Sequence, residues 1–81
     1  METKTLDARG LRCPLPVLKA RKALKELADG DTLQVLATDP GAVKDFEAFC
    51  RTTGHRLIEF HEADGVYDFA IMKTMIRGDG R

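Results

Sequence analysis

Cys13-Pro14-Leu15-Pro16 places a thiol directly before a proline-flanked turn, at the point where an amphipathic pattern begins. Proline is favoured in the first turn of a helix, where its missing N–H costs nothing and its fixed φ suits the helix. The spacing predicts Cys13 as the N-cap, with Pro14 and Pro16 in the first turn and the Leu15 N–H as the main donor to sulfur. A thiol there faces the positive end of a helix dipole, which favours thiolate over thiol. Arg9 and Arg12 flank it, and residues 8–25 also carry Lys19, Arg21, Lys22 and Lys25 without one acidic side chain. The pattern therefore predicts a moderately depressed Cys13 pKa on a stiff, exposed corner. The prolines limit the depression because they remove two amides.

The other candidate groups read differently. Cys50 follows Val43 and Phe46 at helical spacing, on an apolar stripe where a cysteine is usually an inert core residue. The sequence leaves a Cys13–Cys50 disulfide open, since it does not give their separation. Two cysteines and two histidines occur without C-x-x-C or H-x₃-H spacing, so no metal site is expected. His55 and His61 read as surface residues. Gly10 and Gly41 are isolated, so no phosphate-cradling loop is present. The basic face of the first helix is either solvated charge or a docking surface for an acidic partner.

Thirteen basic and thirteen acidic residues balance in a chain of 81, 43% of it hydrophobic, and only four phenylalanines and one tyrosine are present. Without net positive charge or aromatics among the cations, direct nucleic-acid binding is not expected. No apolar run approaches the ~20 residues of a membrane span. Met1-Glu2-Thr3-Lys4 does not read as a signal peptide, so free thiols in the cytoplasm are the expectation.

The elements that position these groups follow from periodicity. Thr5-Leu6-Asp7-Ala8 reads as a short strand, and Gly10 breaks the chain. Val17, Ala20, Leu24, Leu27 and Ala28 form the stripe of a helix ended by Asp29-Gly30-Asp31. Thr32 to Thr38 reads as a central strand. Asp39 and Pro40 predict the N-cap and first position of a second helix, buried through Val43, Phe46, Phe49 and Cys50 and stopped at Gly54. His55 to Glu62 and Val66 to Met75 read as strands around an Asp64-Gly65 hairpin, with Phe60 opposite Phe69 and Ile58 opposite Ile71. The expectation is a single α+β domain over 1–81: a two-layer sandwich in the order β-α-β-α-β-β, with both helices on one face of a four-stranded mixed sheet.

Leu6-Asp7-Ala8-Arg9-Gly10-Leu11-Arg12-Cys13-Pro14-Leu15-Pro16 closely resembles the signature of the TusA/SirA family of small sulfur carriers, an L-D-x-x-G-L-x run followed by C-P-x-P. The resemblance covers nearly the whole chain. It implies a fold like the C-terminal domain of translation initiation factor 3. It further implies a sulfurtransferase-type relay in which Cys13 carries sulfane sulfur as a persulfide, with Pro14, Pro16 and Gly10 shaping the corner. No other cofactor is implied. Arg9 and Arg12 would support the anions, and Lys19, Arg21 and Lys22 would dock partners. Those partners would be a donor such as a cysteine desulfurase or rhodanese and an acceptor protein, met by a monomer. The implied role is compatible with tRNA 2-thiolation, dissimilatory sulfur metabolism, cofactor sulfuration and thiosulfate use. Two rivals remain: a thiol redox switch using Cys13 and Cys50, and a non-catalytic docking module acting through the basic helix.

Overall fold

The structure, a computed structural model, describes residues 2–74. Six elements run β1 (Thr3–Ala8), α1 (Leu15–Lys25), β2 (Thr32–Ala37), α2 (Ala42–Thr53), β3 (Arg56–Ala63) and β4 (Val66–Met72). The sheet order is β1-β2-β4-β3, with β1 and β2 parallel and β4 antiparallel to both of its neighbours. The parallel pair requires a crossover, which α1 supplies. β2 is central, as its apolar composition predicts. The expected two-layer α+β architecture and element order are those observed.

Phe46 of α2 and Leu24 of α1 are fully buried against Leu33 and Val35 of β2 and Phe69 and Ile71 of β4. The Phe46 ring lies 4.6 Å from that of Phe69 and meets Phe49 edge-on. The opposite face is polar: Thr5 Oγ1 donates to Gln34 Oε1, and Gln34 Nε2 donates to the Asp68 carboxylate.

Several boundaries differ from expectation. α1 stops at Lys25, and Glu26 N–H and Leu27 N–H turn back to Ala23 and Leu24 carbonyls in a tighter final turn. That turn buries Leu27 and leaves Ala28 exposed, while Pro16 joins the buried stripe instead. β1 begins at Thr3, two residues earlier than its alternation suggests, β2 ends at Ala37, and β3 starts at Arg56 rather than His55. β4 ends at Met72, and the predicted end at Met75 lies outside the described residues. Gly54 closes α2 in the left-handed conformation, as expected.

The hairpin forms at Asp64-Gly65, both at positive φ, the geometry that matches strand twist in a two-residue loop. Phe60 faces Phe69 as predicted, and His61 faces Asp68, but Leu57, not Ile58, stands opposite Ile71. A bulge between Leu57 and Glu59 causes the shift. The extra residue turns Ile58 out to 47% exposure and lets Leu57 pack on the core. The bulge lies on an edge strand, where no second neighbour resists it.

At the end of the sheet away from the hairpin, Asp31 accepts from Glu2 N–H and Ala28 N–H, both at 3.0 Å. These two bonds, Ala28's first, hold the Asp31 carboxyl below its ordinary 3.8. A lowered folded-state pKa contributes stability above the unfolded value and loses it as pH falls through the folded one. Asp31→Asn is therefore expected to be less stable than the parent at pH 7. The gap should narrow progressively below pH 3.8, read by urea unfolding at pH 7 and pH 2.5.

Candidate functional site

Because β1 and β2 run parallel, the loops leaving their carboxyl ends, residues 9–14 and 38–41, lie side by side. Open sheets place their working groups at such strand ends. Two bonds join the loops: Gly10 N–H donates to Thr38 Oγ1 at 2.9 Å, and Cys13 N–H donates to Asp39 Oδ2 at 2.7 Å. The Leu15 N–H closes a turn onto Arg12 O at 2.8 Å, and the Pro14 carbonyl accepts from Leu18 N–H. Pro14 is thus the N-cap, following a cis Cys13–Pro14 peptide, and Pro16 sits in the first turn.

Cys13 therefore stands one residue before the cap, and the Leu15 amide is already spent, which corrects both the capping role and the donor expected from sequence. The thiol is exposed. Its Sγ donates to Asp45 Oδ2, from the first turn of α2. That hydrogen bond, then desolvation and the negative charges of Asp45 and Asp39, push the Cys13 pKa up to about 11 from an ordinary 9.0. The expected depression is overturned. A full carboxylate charge in contact with sulfur outweighs the roughly half charge of a helix end.

The cationic support also goes elsewhere. Arg9 folds back on Asp7, its Nε and Nη2 each 2.9 Å from a carboxylate oxygen. The pairing holds Asp7 down at about 2. Arg9 is thus a partner for β1, whereas Arg12 is exposed beside the thiol. Arg21 is exposed and places its guanidinium 5.9 Å from the Phe49 ring centre, reaching from α1 to α2. Lys19 and Lys22 are exposed on α1, at helical spacing with Leu15 and Leu18, which are 45% and 52% exposed. A mixed apolar and cationic stripe thus begins two residues from Cys13.

Cys50 is buried in the core, and burial raises its pKa to about 11. It lies five residues beyond Asp45, about 7.5 Å along α2 at ~1.5 Å per residue. Both cysteines are free thiols. His61 is exposed, but His55 is half-buried: it accepts from Thr74 N–H and its ring lies 5.8 Å from that of Phe49. Among the described residues no cluster of three metal-ligating side chains forms. No helix among them is long and apolar enough to cross a membrane.

Sequence reasoning missed Asp39, Asp45 and Gly41 as parts of the site. Asp39 reads as a cap for its own helix, but Asp39-Pro40-Gly41 forms a turn ahead of α2, whose N-cap is Gly41, and the carboxylate serves the other loop. Asp45 reads as one more acid in a first turn. A Cβ on Gly41 would lie 3.5 Å from Cys13 Cβ and 3.8 Å from Sγ, ordinary contact for a methyl group, whereas a longer side chain would press on the thiol.

The fold and site define a class, a small two-layer α/β protein presenting one thiol on a proline turn at a sheet end. The chain belongs to the TusA family, whose model, described as Sulfurtransferase TusA, matches residues 4–73. It is 56% identical over 71 residues to a Neisseria meningitidis serogroup A protein, covering 88% of this chain and 96% of that one. It is 52% identical over 69 residues to the sulfur carrier protein TusA of Allochromatium vinosum, covering 85% and 91%. A crystal structure of the SirA-like protein from Desulfitobacterium hafniense superposes with a TM-score of 0.76 at 32% identity, covering 93% of this chain and all of that one.

Asp39→Ala removes the acceptor for the Cys13 amide. Hydrogen exchange at that amide is expected to accelerate roughly fivefold to tenfold, the worth of one net hydrogen bond, while exchange in the core of β2 stays unchanged.

Proposed function

We propose that this protein is a sulfur carrier that accepts sulfane sulfur on Cys13 as a persulfide and passes it to an acceptor protein. The observation that carries the reading is the contrast between the two cysteines: Cys13 is exposed at a pinned corner, and Cys50 is buried. Relatives named sulfur carrier protein TusA support it. Cys13 attacks the outer sulfur of a donor persulfide, and an acceptor thiolate later attacks that sulfur in turn, by the logic of thiol–disulfide exchange. The cargo is the covalent sulfur itself, and no other cofactor takes part. A cysteine desulfurase or a rhodanese is the kind of donor this chemistry needs.

Donor and acceptor dock on the stripe of Leu15, Leu18, Lys19 and Lys22 beside the thiol, where apolar area gives contact and the lysines give steering. Arg21, held over Phe49, belongs to the packing of this surface more than to its exposed charge. Pro14 and Pro16 stiffen the corner so that the partner meets the sulfur along a fixed line.

Incubation with a cysteine desulfurase and cysteine, followed by mass spectrometry, tests the reading. The Cys13 peptide should gain one sulfur atom, Cys13→Ser should gain none, and Cys50→Ala should load like the parent. K19E/K22E should load more slowly from the protein donor, more so at low salt, yet normally from inorganic polysulfide. Loss of loading in a folded Cys50→Ala protein would favour the redox-switch reading, and an unloaded parent would end the carrier reading.

A further inference from the structure

Asp39 and Asp45 both lie at Cys13, but they hold different atoms. Asp39 Oδ2 takes the backbone amide, and Asp45 Oδ2 takes the thiol. Asp45 is half-buried between buried Ala42 and Phe46 on the first turn of a regular helix, and its own N–H is bonded to the Gly41 carbonyl at 3.2 Å. Neither of the ion pairs among the described residues involves it. Its carboxylate therefore faces the sulfur from a rigid support.

We propose that Asp45 is the general acid of sulfur release, protonating Cys13 Sγ as the sulfane sulfur departs and taking that proton when Cys13 is loaded. The inference rests on the carrier reading and assigns the proton within it. In loading, Asp45 takes the Sγ proton, Sγ bonds the outer sulfur of the donor persulfide, and the donor S–S bond breaks. The electron pair stays on the donor's inner sulfur, which leaves as thiolate. In release, an acceptor thiolate bonds the outer sulfur, the Sγ–S bond breaks, and Sγ keeps the pair and recovers its proton from Asp45. Cys13 thiol and Asp45 carboxylate are regenerated. The donor is reduced and the acceptor oxidised by equal amounts, so no further redox partner is needed.

The chemistry explains why a carrier should place a carboxylate against its own nucleophile. A basic thiolate is a poor leaving group, and an acid already in contact with Sγ lets the sulfur depart as a thiol instead. The same contact costs nucleophilicity in the empty state, because it keeps Cys13 as thiol. Asp45 thus slows attack and speeds departure.

That opposition gives the test. Asp45→Asn should raise the rate of Cys13 alkylation by iodoacetamide at pH 8 roughly tenfold, one pKa unit's worth of thiolate. Discharge of the polysulfide-loaded protein to glutathione should slow by roughly a hundredfold, at the lower end of general-acid effects. Circular dichroism checks each fold. Asp45→Glu keeps the acid and carries the test alone should D45N not fold: alkylation should stay slow and discharge should stay within about threefold of the parent. Discharge unchanged in D45N, both rates falling together, or discharge lost in a folded D45E would each overturn the proposal. Failure of the parent to load on Cys13 would instead overturn the carrier reading beneath it.

Discussion

Cys13 is held by a helix that is not its own. Its amide is bonded to Asp39 and its sulfur to Asp45, both contributed by the segment that follows β2. The working corner is therefore a property of two βα units at once. It needs β1 and β2 parallel and in register, so that Ala8 and Ala37 end side by side. It needs α2 anchored through Phe46, so that its first turn arrives at the sulfur. It also needs the small residue Gly41, where a longer side chain would press on the thiol. Displacing either loop would break the site while leaving the helix after Cys13 intact.

The electrostatic outcome follows from that dependence. A helix amino terminus offers about half a unit of positive charge, and two carboxylates offer full negative charges at closer range. The carboxylates win, and the resting group is a thiol. Reactivity then belongs to the complex: a partner that brings a cation to Asp39 and Asp45 would favour the thiolate. A carrier built this way spends little of its time exposed to oxidants as thiolate, the form on which oxidation depends.

Much of this fold is legible in the sequence. The 3.6-residue spacing of Ala20 and Leu24, the largely apolar run of β2 and the Asp64-Gly65 turn each depend on near neighbours, and each is found in the structure. The bulge at Ile58 is not legible, since the alternation there reads smoothly and only the competition between Leu57 and Ile58 for the core decides it. Cys13 is legible as the chemical centre through its motif, but its environment is not. Arg9 and Arg12 are near in sequence, whereas Asp39 and Asp45 are near only in space, 26 and 32 residues away along the chain. Local charge counting therefore assigns the wrong sign to the pKa shift. Arg21 is exposed as its charge suggests, but the Phe49 ring beneath its guanidinium is contributed by α2 and is near it only in space.

The account rests on Cys13 being a carboxylate-bound thiol. Labelling cysteine with carbon-13 at Cβ and following the Cys13 chemical shift by NMR from pH 6 to 12 would measure its ionisation directly; only Cys13 and Cys50 would report. The account predicts a Cys13 midpoint near 11. A midpoint below the ordinary 9.0 would show that the helix end and the neighbouring arginines prevail over Asp45 and Asp39, and would contradict it.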